Sequence, residues 1–321
     1  RRWSNLALSF GWYIIRLHAN LANYIIRLLS RHKQSQTKMK IVSPLSYRII
    51  ALDLDGTLTN SQKVITPRTF KALMRAQHEG VRIVLASGRP TYGISSLAKQ
   101  LQIAKFGGFV LSYNGGRIID WRTEKAIYSQ TVDADLVPTL YTFAESAKLP
   151  IVTYQSNAIL ASFNEGEHLA EEARINGMPV VVAENFVAEA SAIQGGATKF
   201  LIPGEPQLLV DLEAKMKEVL SNRMEIFRSA PFFLELTPKG IDKAQSLQRL
   251  LAHLGMKRED LMAFGDGFND LSMLEYAGMG VAMGNAVDEV KAIADFITIS
   301  NDEDGIAIAL EQLLYPNDKQ E

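Results

Sequence analysis

From Arg48 onward the chain alternates short apolar runs with stretches of helical periodicity, and few folds accept that alternation. "RIIALDLDGT" reads as a first buried strand. "TPRTFKALMRAQHEG" follows as a helix, with Thr66 as N-cap, Pro67 at the first helical position, Phe70, Leu73 and Met74 on one side and Gly80 as terminator. A second strand, "VRIVLASGR", comes at once and opens into a small polar loop. Strands separated by helices predict an α/β protein whose sheet is mostly parallel. In open sheets of that kind, ligands gather beyond the carboxyl ends of the strands. Asp53, Asp55 and Ser87 are therefore expected on one rim.

The same grammar returns near the other end. "GIDKAQSLQRLLAHLG" carries Leu247, Leu250, Leu251 and Leu254 on a helical stripe closed by Gly255, and strand-like "LMAFGDGFND" and "GVAMGNA" follow. Between Gly116 and about Thr237 the rhythm differs. Strand-like "IVTYQSNAILASF" and "TKFLIPG" are separated by acid-rich helical segments such as "EPQLLVDLEAKMKEVLSN". The expected organisation is a core built from residues 46–116 and 238–321, with residues 117–237 inserted as a second α/β domain.

Residues 1–45 read as a basic amphipathic extension. Leu6, Phe10, Ile14, Leu17, Leu21, Ile25 and Leu28 recur at steps of three and four, residues 1–40 hold eight Lys and Arg residues, and the first acid is Asp53. Three readings fit: an interfacial helix, an Arg-rich targeting peptide, or non-native sequence upstream of a start at Met39, which is the reading favoured. Arg16 and Arg27 interrupt the stripe too often for a membrane span. The rest of the chain is net acidic, which argues against a nucleic-acid partner. With no cysteine there is neither a thiolate nucleophile nor a disulfide, as suits a cytoplasmic protein.

Two carboxylates one residue apart at a strand end repel each other. A lone Asp-Gly would be read as a turn, but here Ser87, Lys243, Asp266 and Asp270 stand at comparable points of later units. A divalent cation with oxygen ligands answers the repulsion. "GDGFND" imitates the start of a calcium loop, yet residue 277, where that loop needs a glutamate, is alanine.

"DLDGTL", "ASGRP", "GIDKAQSL" and "GDGFNDLSMLEYAGMGVAMGNA" together resemble the four motifs of the haloacid-dehalogenase-like (HAD) hydrolases, specifically the Cof-type sugar-phosphatase branch. The resemblance covers about residues 46–315. It implies a Rossmann-like core with an inserted α/β cap, and a Mg²⁺-dependent phosphatase acting on small phosphorylated metabolites, sugar phosphates first among them.

By that resemblance Asp53 is the nucleophile that forms an aspartyl-phosphate, and Asp55 is the general acid and then the base. The Asp53 carboxylate, the Asp55 backbone carbonyl and Asp266 would hold Mg²⁺. Ser87, the Gly88 amide, Asn269 and Lys243 would bind the phosphoryl group, with Asp270 in support. "SYNGG", residues 112–116, would be the hinge of the cap. Arg89 either stabilises its loop or meets substrate. Lys199 rivals Lys243 as the cation, and the resemblance favours Lys243. Tyr154, Gln155 and Asn157 are read first as residues of a solvated strand face. A phosphomutase using the same aspartyl-phosphate, or a regulatory protein without turnover, are the alternatives; Asp55 disfavours dehalogenation.

Overall fold

A computed structural model of the chain describes residues 47–316. The expectation for the basic extension, Met39 included, lies outside the described residues. In chain order the strands are β1 (Ile49–Leu52), β2 (Arg82–Ala86), β3 (Phe109–Ser112), β4 (Arg117–Asp120), β5 (Lys125–Ser129), β6 (Val152–Gln155) and β7 (Ala158–Ala161). They continue with β8 (Val180–Val182), β9 (Phe200–Pro203), β10 (Met224–Ala230), β11 (Phe233–Pro238), β12 (Leu261–Gly265), β13 (Met279–Ala282) and β14 (Phe296–Ile297).

They form two sheets. The first has eight strands in the order β14-β13-β12-β1-β2-β3-β4-β5, parallel from β14 to β3. The chain builds outward from β1 in both directions, so β1 is the switch point where such sheets place their ligands. Leu52 is level with Phe264 on one side and Leu85 on the other. That register brings Asp53, Ser87 and Asp266, which follow the three strands, to one rim.

β1 is buried on both faces, as a central parallel strand must be. Ile50 and Leu52 pack with Leu73, Ile94 and Leu310 on one side, while Ile49 and Ala51 pack with Leu247, Leu250 and Leu251 on the other. The predicted helices are in place. The Thr66 hydroxyl accepts from the Thr69 amide ahead of helix Pro67–His78. Helix Lys243–His253 is capped by Asp242, whose side chain accepts from the Gln245 amide, so Lys243 opens the helix at a fixed point.

The second sheet has six strands, ordered β10-β11-β9-β6-β7-β8. The expected boundary at residue 116 does not coincide with the change of sheet. β4 pairs antiparallel with β3 and β5 with β4, so the first sheet continues to Ser129 before the chain leaves it. The two glycines of "SYNGG" suggest a departure, but the hairpin after them extends the sheet edge. "IVTYQSNAILASF" is likewise two strands: Ser156 adopts φ +51° and the segment folds back as the β6–β7 hairpin. One face of this sheet carries its own core, with Leu140, Ile202, Leu212 and Leu236. The other face, with Tyr154, Leu201 and Phe233, packs with Tyr113 of the hinge segment. Among the described residues no helix is long and apolar enough to cross a membrane.

Candidate active site

Lys243 is fully buried, yet it is charged and doubly paired: its Nζ donates to Asp53 Oδ1 and to Asp270 Oδ1, each at 2.6 Å. Burial works against its charge, but the two carboxylates outweigh burial and raise its pKa further. Asp53 is pushed well up, by burial first and then by Asp270, with Lys243 pulling the other way and Asp266 adding to the rise.

Asp270 has both oxygens engaged. Oδ1 takes Lys243, and Oδ2 accepts the backbone N–H of Asp266 and of Gly267 at 3.0 Å. It holds the turn that presents Asp266. Gly265 is required here, because a Cβ at that position would run into the Asp270 side chain.

The carboxylate oxygens of Asp53, Asp266 and Asp270 can be drawn from within 4.8 Å of one another. Asp266 is raised to about 6, by burial first and then by Asp270, against a hydrogen bond from Thr57 Oγ1 to its Oδ1 at 2.7 Å. Carboxylates crowded until they resist ionising form a hard-oxygen donor set suited to a divalent cation. Because both Asp270 oxygens are spoken for, Asp53 and Asp266 are the members with lone pairs to give.

The Asp55 side chain turns away from that group. Its Oδ2 accepts from Arg89 Nε at 2.8 Å, and its Oδ1 accepts from Arg89 Nη2 at 2.6 Å and Lys63 Nζ at 2.8 Å. Burial would raise this carboxyl, but Arg89 and then Lys63 more than offset it and its pKa is lowered. Arg89, open between two readings from sequence, thus fixes Asp55. Gly56, at φ +84°, lets the chain leave beneath Asp266, where a Cβ would collide with Oδ2. Asn285 Nδ2 braces the Gly56 carbonyl at 2.8 Å.

Asp53, Asp55, Ser87, Gly88, Asp266 and Asn269 line one cavity of about 250 Å³. Lys243 lies behind Asp53 and lines an adjoining cavity of about 760 Å³. The buried Ser87 hydroxyl accepts from the Arg89 amide at 3.2 Å, which leaves its own proton to donate. Gly88 lies three residues ahead of helix Thr91–Gln100, not at its first turn, because Pro90 occupies the cap position. Asn269 Nδ2 donates to Asn114 Oδ1 at 3.2 Å, joining the acidic turn to the hinge segment.

From the second sheet, Lys199 reaches into the same cavity: its Nζ lies 3.3 Å from the Gly88 carbonyl and 3.3 Å from Glu235 Oε1. Tyr154, expected on a solvated strand face, is instead buried and donates to Glu172 Oε1 at 2.6 Å, because it turns inward from β6; Gln155 and Asn157 are exposed, as expected.

The family model described as haloacid dehalogenase-like hydrolase matches residues 50–310. The chain belongs to this family. Among solved structures, this hydrolase resembles a haloacid dehalogenase-like hydrolase from Bacteroides thetaiotaomicron, at 47% identity and a TM-score of 0.80 over 83% of this chain and 99% of the other. It resembles the HAD subclass IIB sugar phosphatase BT4131 at 30% identity and a TM-score of 0.68, over 83% of this chain and 98% of the other. Among curated proteins it is 32% identical to the 5-amino-6-(5-phospho-D-ribitylamino)uracil phosphatase YitU of Bacillus subtilis, covering 82% of this chain and 96% of that one.

Sequence reasoning missed Thr57, Lys63 and Glu235 in this hydrolase. Thr57 and Glu235 meet partners distant in sequence, and Lys63, eight residues after Asp55, follows no regular spacing that would announce the pairing.

Proposed function

We propose that the protein is a Mg²⁺-dependent phosphatase that hydrolyses small phosphate monoesters, sugar and polyol phosphates among them, through an aspartyl-phosphate on Asp53. The observation that carries this is the buried Lys243, which pins Asp53 Oδ1 while Asp55 stands two residues away on a different leash. The named phosphatases among the relatives, one of them a sugar phosphatase, support the same reading.

Bound at Asp53, Asp266 and the Asp55 carbonyl, Mg²⁺ would neutralise charge on the phosphoryl oxygens. The chain's own groups do the rest. The Asp53 carboxylate attacks phosphorus in line; the bond to the ester oxygen breaks and the electron pair leaves with that oxygen. Asp55 supplies its proton, so the leaving group departs as an alcohol. Water then attacks the aspartyl-phosphate as Asp55 takes a proton back, and the acyl-oxygen-to-phosphorus bond breaks. Inorganic phosphate leaves, and Asp53 is again a carboxylate.

Ser87 and the Gly88 amide donate to the equatorial oxygens, and Lys243 keeps Asp53 oriented and ionised. As an acid, Asp55 must first be drawn from Arg89. An incoming phosphoryl group competes for that guanidinium, and with the pairing weakened Asp55 moves up towards the range where it carries a proton.

Phosphate release from a panel of phosphorylated metabolites, with Mg²⁺ and with chelator, tests the reading. Release that needs Mg²⁺ and disappears in Asp53→Asn is the expected outcome. Activity in chelator, or activity surviving the substitution, would count against it.

A further inference from the structure

The catalytic cavity is closed on its far side by a buried pair that the phosphoryl chemistry does not use. Lys199, the residue before β9, and Glu235, inside β11, which pairs antiparallel with β9, are 4% and 6% exposed. Lys199 Nζ has the Gly88 carbonyl and Glu235 Oε1 within 3.3 Å. Glu235 Oε2 is buried and has no hydrogen-bond partner. A buried acceptor without a donor is unfavourable, so this oxygen is poised for a donor brought by a ligand. Glu235 lines both the 250 Å³ cavity with Asp53 and the 760 Å³ cavity beside it, as does Ser229, so it stands where the two meet.

We infer that Lys199 and Glu235 together read a hydroxyl of the leaving group, and so select polyol and sugar phosphates over esters without a hydroxyl near the ester oxygen. A hydroxyl is both acceptor and donor: it can take a proton bond from the ammonium and give one to Oε2. A carboxylate or second phosphate there meets Glu235 as a like charge, and an amine meets Lys199. An alkyl chain leaves Oε2 unsatisfied, the loss by which a polar site rejects an analogue lacking its hydroxyl. Because Lys199 is tied to Gly88, beside Ser87, the pair sits next to the phosphoryl position. The hydroxyl it reads therefore lies close to the ester oxygen, and the rest of the polyol extends into the larger cavity.

This inference rests on the phosphatase reading, and its test separates the two. Specificity is measured as kcat/KM for glycerol, erythritol and ribitol phosphates against propyl, butyl and pentyl phosphates, in the wild type, Glu235→Gln and Lys199→Gln. Thermal melts of each variant check folding, and should one variant not fold the other is read by the same ratio. The polyol-to-alkyl ratio is expected to favour polyols in the wild type and to fall about tenfold or more in either variant, with inhibition by free ribitol weakened in parallel. A ratio unchanged in folded variants, or a wild type that prefers alkyl phosphates, overturns the inference while leaving the phosphatase reading intact. A wild type that releases phosphate from neither series overturns both.

Discussion

The guanidinium of Arg89 grips the Asp55 carboxylate with two parallel hydrogen bonds, Nε to Oδ2 at 2.8 Å and Nη2 to Oδ1 at 2.6 Å. A fork of this kind fixes orientation as well as charge. It aims the carboxyl of the proposed acid and base, and it holds that carboxyl below its ordinary pKa.

Arg89→Met removes the grip. A carboxyl freed from a cation titrates higher, so the form that can protonate a leaving alcohol persists to higher pH. The alkaline limb of the kcat/KM profile is expected to move up, while kcat falls because the carboxyl is no longer aimed. Full pH–rate profiles of both proteins check this, and an unmoved limb would contradict it.

Lys243 neutralises two carboxylates from a fully buried position. Lys243→Met leaves Asp53 and Asp270 facing each other uncompensated, and removing one partner of a buried ion pair costs about 3–5 kcal/mol. Urea denaturation should show that loss, and adding Asp270→Asn should recover part of it. No recovery in the double variant would mean that the lysine acts chiefly through packing.

Asp266 is raised to about 6 by burial and by Asp270. A carboxyl whose folded pKa lies above its unfolded value contributes stability below the unfolded value and loses it as pH rises through the folded one. The metal-free protein should therefore become less stable between about pH 4 and pH 6, by about 2 kcal/mol after solvent screening. Mg²⁺ binds the ionised carboxylate, so its affinity should weaken as pH drops below about 6. Asp266→Asn should melt higher than the wild type in chelator near pH 7.5, about 2–4 °C, and gain nothing from Mg²⁺. Melting curves with chelator and with Mg²⁺ decide it; an undiminished Mg²⁺ shift in the variant would contradict the assignment.

Asp53, Ser87, Asp266 and Lys243 were legible in the sequence because each sits where a local pattern ends. The first three follow buried strands whose length and apolarity announce themselves, and Lys243 follows an Asp cap. What escaped needed the tertiary structure. Thr57 meets Asp266 across 209 residues of chain, and Lys63 and Arg89 converge on Asp55 from separate loops. The β4–β5 hairpin follows the point where the strand–helix rhythm changes, and nothing local marks it as the edge of the first sheet. Glu235 was hidden because it stands in a strand apolar enough to read as plain core, and although Lys199 stands out as a cation just before β9, nothing local pairs the two.

The central claim is that phosphorus passes through Asp53. Acid quenching during turnover, followed by peptide mass spectrometry, tests it most directly. One phosphoryl group on the peptide that contains Asp53, absent in Asp53→Asn and without Mg²⁺, is the predicted result. Turnover with no phosphorylated peptide in a single-turnover quench series, or a phosphoryl group on another residue, would contradict it.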